Sequence, residues 1–63
     1  MFNNIASKRA ERGMTQQELA DLIHEERAHV SRWETGKYNP NVITALKIAK
    51  ALKCKVEDLF SEF

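Results

Sequence analysis

The sequence predicts an all-α fold, a compact bundle of five short helices. Three observations carry that expectation. Apolar residues recur at steps of three and four, and no strand-like alternation is sustained. The helix-start residues Thr15 and Asn41 stand before apolar stretches, and Gly13 and Gly36 stand after them. The one proline, Pro40, falls between two helical patterns rather than inside one.

Phe2, Ile5 and Ala6 begin a first helix that Gly13 should end. Thr15-Gln16-Gln17-Glu18 reads as a capping box, with Thr15 at the N-terminus and Glu18 reaching back. A second helix then runs to Ile23, with Leu19, Ala20 and Ile23 facing inward. The third starts near Glu26 and ends at Gly36, placed where a left-handed residue closes a helix. Tyr38-Asn39-Pro40 is a loop, because proline disfavours helix at the residue before it. Asn41 caps a fourth helix, whose Val42, Ala45, Leu46, Ala49 and Leu52 are expected to form its inward stripe. A short fifth helix carries Val56, Leu59 and Phe60.

Only His24 and Glu25 separate Ile23 from the next helical residues. Helices joined by so short a turn cross steeply, as in a helix-turn-helix unit spanning about residues 15–36. A plain antiparallel hairpin also fits a short loop, so the contents of the third helix must decide.

At 63 residues the chain is read as one domain, 1–63. A domain this small buries only about 60% of its unfolded surface, which leaves little room for a closed catalytic cleft. The single cysteine, Cys54, excludes an internal disulfide framework. The longest apolar runs are pairs such as Ile48-Ala49, far short of the roughly 18 residues of a membrane span. Met1-Phe2-Asn3-Asn4 lacks the charged start of a signal peptide, so an intracellular soluble protein is expected.

Ten Lys and Arg stand against nine Asp and Glu, but they are unevenly spread. Residues 27–55 hold seven of the positive charges and Glu34 as their one negative, a local net charge of +6. Such a segment suits contact with a polyanion, although scattered solubilising lysines produce a similar count.

With Val30 as the inward direction and about 100° per residue, Trp33 and Glu34 fall on the inner face of the third helix. Ala28, Arg32 and Thr35 fall opposite, with His29 and Ser31 on the flanks. One arginine among small residues and short hydrogen-bonders suits a helix in a DNA major groove, where arginine reads guanine through paired donors. A solvated face is the plain alternative. Gln16 and Gln17 open the second helix, where amide and backbone N–H groups can hold a phosphate. Lys37, Tyr38 and Asn39 give a second polar cluster beyond the third helix, so the two clusters flank it.

At these residues the sequence resembles the phage-repressor/Cro-like, or XRE, family of helix-turn-helix regulators. Thr15-Gln16-Gln17-Glu18-Leu19-Ala20 matches the family's usual opening, and Val30-Ser31-Arg32-Trp33-Glu34-Thr35-Gly36-Lys37 the end of its recognition helix. Asn39-Pro40, Ala45 through Leu52, and Glu57-Asp58-Leu59-Phe60 match its last two helices. The resemblance implies a five-helix DNA-binding domain, usually a dimer on a near-palindromic operator, acting in a bacterial or phage-infected cytoplasm.

Carried over by position, it places Arg27, Ala28, His29 and Arg32 at base edges, and Gln16, Ser31, Lys37, Tyr38 and Asn39 on the backbone. Gln17 can serve either role. The resemblance also suggests a structural ion pair. Arg9 lies on the inner stripe of the first helix with Phe2 and Ile5, and Glu34 faces inward from the third. Two inward charges are costly unless they meet.

The turn departs from the family's pattern of Gly, an apolar residue, then Ser or Thr. It reads His24-Glu25-Glu26, so His24 must take the strained backbone. Glu26 replaces a hydroxyl cap; it either reads a cytosine amino group or favours the helix dipole at some cost in phosphate repulsion. Lys53 and Lys55 stand where a helix-ending glycine and a capping residue are usual.

Trp33 is read as core rather than as a stacking platform, and Cys54 as an inert buried thiol, although its flanking lysines would lower an exposed thiol's pKa. Lys47, Lys50 and Lys53 are read as a solvated face. His24 and His29 lie on different helical faces, so no metal site is expected. No nucleophile–base pair, phosphate loop or ligand cluster is present, and no enzyme activity, cofactor or small-molecule ligand is expected. Val56, Leu59, Phe60 and Phe63 exceed the evident needs of so small a core and are the expected dimer surface. The alternative function is a protein-interaction module, an antitoxin-like or inhibitor subunit, which Glu18, Glu25 and Glu26 keep open.

Overall fold

The computed structural model describes residues 3–60. Five helices follow in order: α1 (Ile5–Glu11), α2 (Gln16–Ile23), α3 (Arg27–Glu34), α4 (Val42–Ala51) and α5 (Val56–Leu59). Phe2 and Phe63, expected on the first helix and at a dimer surface, lie outside the described residues.

The start signals act as read. Thr15 Oγ1 accepts the Glu18 N–H at 3.0 Å, while Glu18 Oε1 accepts the Thr15 N–H at 2.8 Å, closing the capping box. Asn41 Oδ1 accepts the Thr44 N–H at 2.8 Å and begins α4. Lys55 has no capping side chain, and Asp58 supplies the bond from the other direction by accepting the Lys55 N–H at 3.0 Å.

Four helices end by one device. Gly13, His24, Gly36 and Lys53 have φ of 67°, 59°, 78° and 54°, the left-handed conformation. After α2, the His24 N–H donates to the Asp21 carbonyl at 3.4 Å and the Glu25 N–H to the Ala20 carbonyl at 2.9 Å. These paired backward bonds satisfy carbonyls that a helix end otherwise orphans. The same pair recurs after α4, from Lys53 to Lys50 at 3.2 Å and from Cys54 to Ala49 at 3.0 Å. Glycine fills only two of the four places, so His24 and Lys53 hold a backbone that disfavours a Cβ.

The core joins Ile5, Leu19, Ala20, Ile23, Val30, Trp33, Ile48, Ala49, Leu52 and Leu59. α2 packs against both α3 and α4, α5 closes on α4, and α1 lies against α3. Two sequence expectations need correction. Val42 and Leu46 do not face inward: they are 75% and 53% exposed, and the inner face of α4 is Thr44, Ala45, Ile48, Ala49 and Leu52. α4 carries apolar Val42, Ile43 and Leu46 on its outer side as well, so periodicity alone did not select its buried side. Leu59 is wholly buried, and Val56 and Phe60 pack against the same core. Leu59 therefore offers nothing to a second copy, whereas Val56 and Phe60 are only half-buried.

Polar groups complete the assembly. Asn3 Nδ2 donates to the Trp33 carbonyl at 2.7 Å, and the Asn4 N–H to the Leu59 carbonyl at 2.8 Å. Arg12 Nε donates to the Leu52 carbonyl at 3.1 Å. Between α1 and α3, Arg9 Nε donates to Glu34 Oε2 at 2.7 Å and Arg9 Nη2 to Glu34 Oε1 at 3.2 Å. Arg9 Nη1 donates to the Met14 carbonyl at 2.7 Å. The Glu34 hydrogen bond raises the Arg9 pKa above its ordinary value, against the opposing effect of burial.

Cys54 packs beside the core. Burial, helped by Asp58, pushes its thiol above the ordinary pKa, and Lys8 and Arg12 pull the other way only weakly. The flanking lysines do not activate it.

Three outcomes are expected. Glu34→Ala strands the Arg9 guanidinium and should lower unfolding free energy in urea by about 3 kcal/mol, whereas Arg9→Met with Glu34→Leu should recover most of that loss. His24→Gly removes a strained Cβ and should raise stability by about 0.5–1 kcal/mol. Cys54 should react with iodoacetamide at neutral pH more slowly than free cysteine, because a raised pKa leaves less thiolate.

Candidate nucleic-acid interface

The turn of residues 24–26 sets α3 across α2 and leaves one side of α3 outward. Val30 and Trp33 are buried beneath it, with Trp33 only 8% exposed. Arg27, Ala28, Arg32 and Thr35 are exposed, and His29 and Ser31 are half-buried. The outward face thus carries two guanidinium groups, two small residues and no large aliphatic side chain. Trp33 belongs to the core.

Glu26 is the N-cap of α3, with extended backbone and no side-chain capping bond. Its carboxylate is exposed at the end of the helix where backbone N–H groups accumulate. Glu25 is engaged differently. Its Oε1 lies 2.8 Å from His29 Nδ1, one helical turn onward. Of the acidic residues at the turn, one is paired and one is open.

At the mouth of α2, Gln16 is half-buried and Gln17 exposed. Gln17 Nε2 donates to Asp21 Oδ1 at 2.9 Å. Gln16 Nε2 donates to Glu34 Oε1 at 2.9 Å, and Gln16 Oε1 accepts from Arg27 Nη1 at 3.4 Å. The amide expected to grip a phosphate therefore spends one donor on the scaffold and turns its carbonyl toward the tip of α3.

Beyond α3, Lys37, Tyr38 and Asn39 are exposed. The Arg32 guanidinium carbon lies 5.9 Å from the Tyr38 ring centre, within range of a cation–π contact. His29, Arg32, Trp33 and Tyr38 line an open hollow of about 240 Å³ between helix and loop. The sequence reading missed the Tyr38 contact and the Gln16–Glu34 bond. The first depends on the path of the 35–41 loop, and the second joins residues 18 positions apart. The Glu25–His29 pair did have a sequence signal, its four-residue spacing on adjoining helical positions.

A chain whose α2 and α3 are joined by a short turn, with α3 presenting arginines and small residues and a polar loop after it, matches a known family over residues 5–59, described as helix-turn-helix. The chain belongs to the XRE-type helix-turn-helix family. An HTH-type transcriptional regulator of Archaeoglobus fulgidus is 43% identical over 60 residues, covering 95% of this chain and 86% of that protein. The HTH-type transcriptional regulator YgzD of Bacillus subtilis is 38% identical over 60 residues, covering 95% and 91%. Among solved structures, the restriction-modification controller protein C.AhdI from Aeromonas hydrophila superposes with a TM-score of 0.81 at 30% identity, covering 86% of this chain and 82% of that one.

The XRE-type chain is thus a DNA-binding transcriptional regulator of a family without enzymatic activity, and its partner is double-stranded DNA. Among the described residues no helix is long and apolar enough to cross a membrane, and no group of His, Cys, Asp and Glu could hold a metal ion.

Proposed function

We propose that this regulator binds a near-palindromic operator as a dimer, lays α3 in the major groove, and represses by excluding polymerase. The observation that carries this reading is the outward face of α3: Arg27, Ala28 and Arg32 are exposed between two polar clusters, with every large hydrophobe of the helix turned inward. Small side chains let the helix approach the base pairs, and guanidinium groups match the two acceptors of guanine.

In this reading Arg27, Ala28, His29 and Arg32 meet base edges, Gln17 either edge or phosphate, and Glu26 a cytosine amino group. Gln16, Ser31, Lys37, Tyr38 and Asn39 hold the backbone, and those contacts fix register rather than sequence. The Arg32 guanidinium lies over the Tyr38 ring at 5.9 Å, a cation–π contact that favours one direction for the side chain before DNA arrives. Two copies of α3 about 34 Å apart would meet successive turns of one duplex face. Apolar side chains open to a second copy include Val42, Ile43 and Leu46 of α4, each more than half exposed, and the half-buried Val56 and Phe60 of α5.

Selection from a randomised duplex pool at two salt concentrations tests the reading. A two-fold-symmetric motif with affinity falling steeply as salt rises is expected; weak binding with no enriched motif would overturn it. On the selected operator, Arg32→Ala should cost about 1–3 kcal/mol and relax preference at one base position. Lys37→Ala should instead weaken all sequences alike and reduce the salt slope by about 1, as measured by fluorescence anisotropy.

A further inference from the structure

Glu34 belongs to the scaffold, but its hydrogen bonds exceed what the scaffold needs. Arg9 already occupies both carboxylate oxygens, at 2.7 and 3.2 Å. A third bond arrives from Gln16 Nε2 at 2.9 Å. An ionised carboxylate only accepts hydrogen bonds, with about four lone-pair sites to fill. It therefore dictates which end of the Gln16 amide turns inward: the flipped amide would set its carbonyl oxygen against Glu34. The carbonyl must face away, where Arg27 Nη1 meets it at 3.4 Å.

We propose that Glu34 is a positioning residue for sequence recognition, acting through Gln16 to hold the Arg27 guanidinium at the tip of α3. The inference rests on the reading that Arg27 meets a base edge. Glu34 ends α3 and Arg27 begins it, so the path runs from one end of the reading helix to the other by way of α2. Its two ends differ in environment. The Glu34 side chain is only 6% exposed, whereas Arg27 stands in solvent. The buried end is held by Arg9 and by packing, and it fixes Gln16; Gln16 in turn restricts an arginine that would otherwise sample many rotamers. A side chain ordered before binding loses less entropy in the complex, which sharpens the difference between right and wrong bases. The 3.4 Å contact is long enough to yield when guanine offers its two acceptors. The ion pair that fastens α1 to α3 thereby also sets the aim of a base-reading group.

Two measurements test this on the full chain. In the free protein, Gln16→Met removes the amide and leaves Arg9 and Glu34 in place. Side-chain ¹⁵N relaxation at Arg27 should then report increased mobility, and Glu34→Gln, measured while the chain remains folded by its amide spectrum, should do the same. On the selected operator, Arg27→Ala first identifies the base position that Arg27 reads. Gln16→Met should lower discrimination at that position by about tenfold, with preference at the Arg32 position intact and no further loss when combined with Arg27→Ala.

A uniform affinity loss in Gln16→Met, with discrimination and Arg27 mobility unchanged, leaves Gln16 as a phosphate contact only and Glu34 as purely structural, and overturns the relay while sparing the proposed function. Unchanged preference in Arg27→Ala removes Arg27 from the reading set and the proposal with it.

Discussion

The Arg9–Glu34 pair is the contact on which the rest of this small fold depends. Both side chains are largely removed from water, at 19% and 6% exposed, so neither charge is tolerable without the other. Their attraction is directional as well as strong, since two guanidinium N–H groups meet two carboxylate oxygens. The pair fixes where α1 crosses α3 and, through the Met14 carbonyl, how the chain turns from α1 toward α2. α1 contributes Ile5 to the core, and so short a helix needs such a clamp to hold its register.

A second constraint is the run of left-handed helix ends. Each allows the chain to reverse within a few residues, which is how five helices fit between residues 5 and 59. The turn after α2 has the greatest consequence, because it sets the angle at which α3 leaves the body. His24 there disfavours its own conformation, but the chain on either side is anchored by buried Ala20, Ile23 and Val30, and the Glu25 N–H completes the backward hydrogen bond. Packing on both sides imposes a backbone that local preference resists. Lys53 repeats the arrangement before α5, where Leu52 and Leu59 are the anchoring core residues.

The scaffold and the reading surface are therefore not separate parts. Trp33 and Glu34 face inward from the same helix whose Arg27, Ala28 and Arg32 face outward. Glu34 touches Arg9 on one side and Gln16 on another. Tyr38 contacts Arg32 from the loop that leads into α4. In a domain too small for a supporting layer behind its binding surface, core residues themselves orient the surface groups.

Much of this was legible in the sequence because the relevant forces act locally. Capping needs residues three apart, and Thr15, Glu18 and Asn41 announce it. Gly13 and Gly36 mark helix ends, and the two-residue gap after Ile23 requires a sharp crossing. With Val30 taken as inward, the inward placement of Trp33 and Glu34 follows from helix geometry. What failed or stayed hidden depends on neighbours distant in the chain. Val42 and Leu46 look like core because α4 also carries apolar residues on its outer side, among its lysines, and only the positions of α2 and α5 decide which side is buried. Leu59 looks like spare surface until α5 is seen closing the core. The Gln16 amide and the cation–π contact of Arg32 with Tyr38 likewise need the fold, because hydrogen bonds and ring contacts require a distance and an angle that sequence spacing supplies only within one helix. The sequence by itself determined the helices, their ends and the family. Tertiary structure decided which faces meet and where the reading side chains point, since both are set by packing between segments that the chain order does not place together.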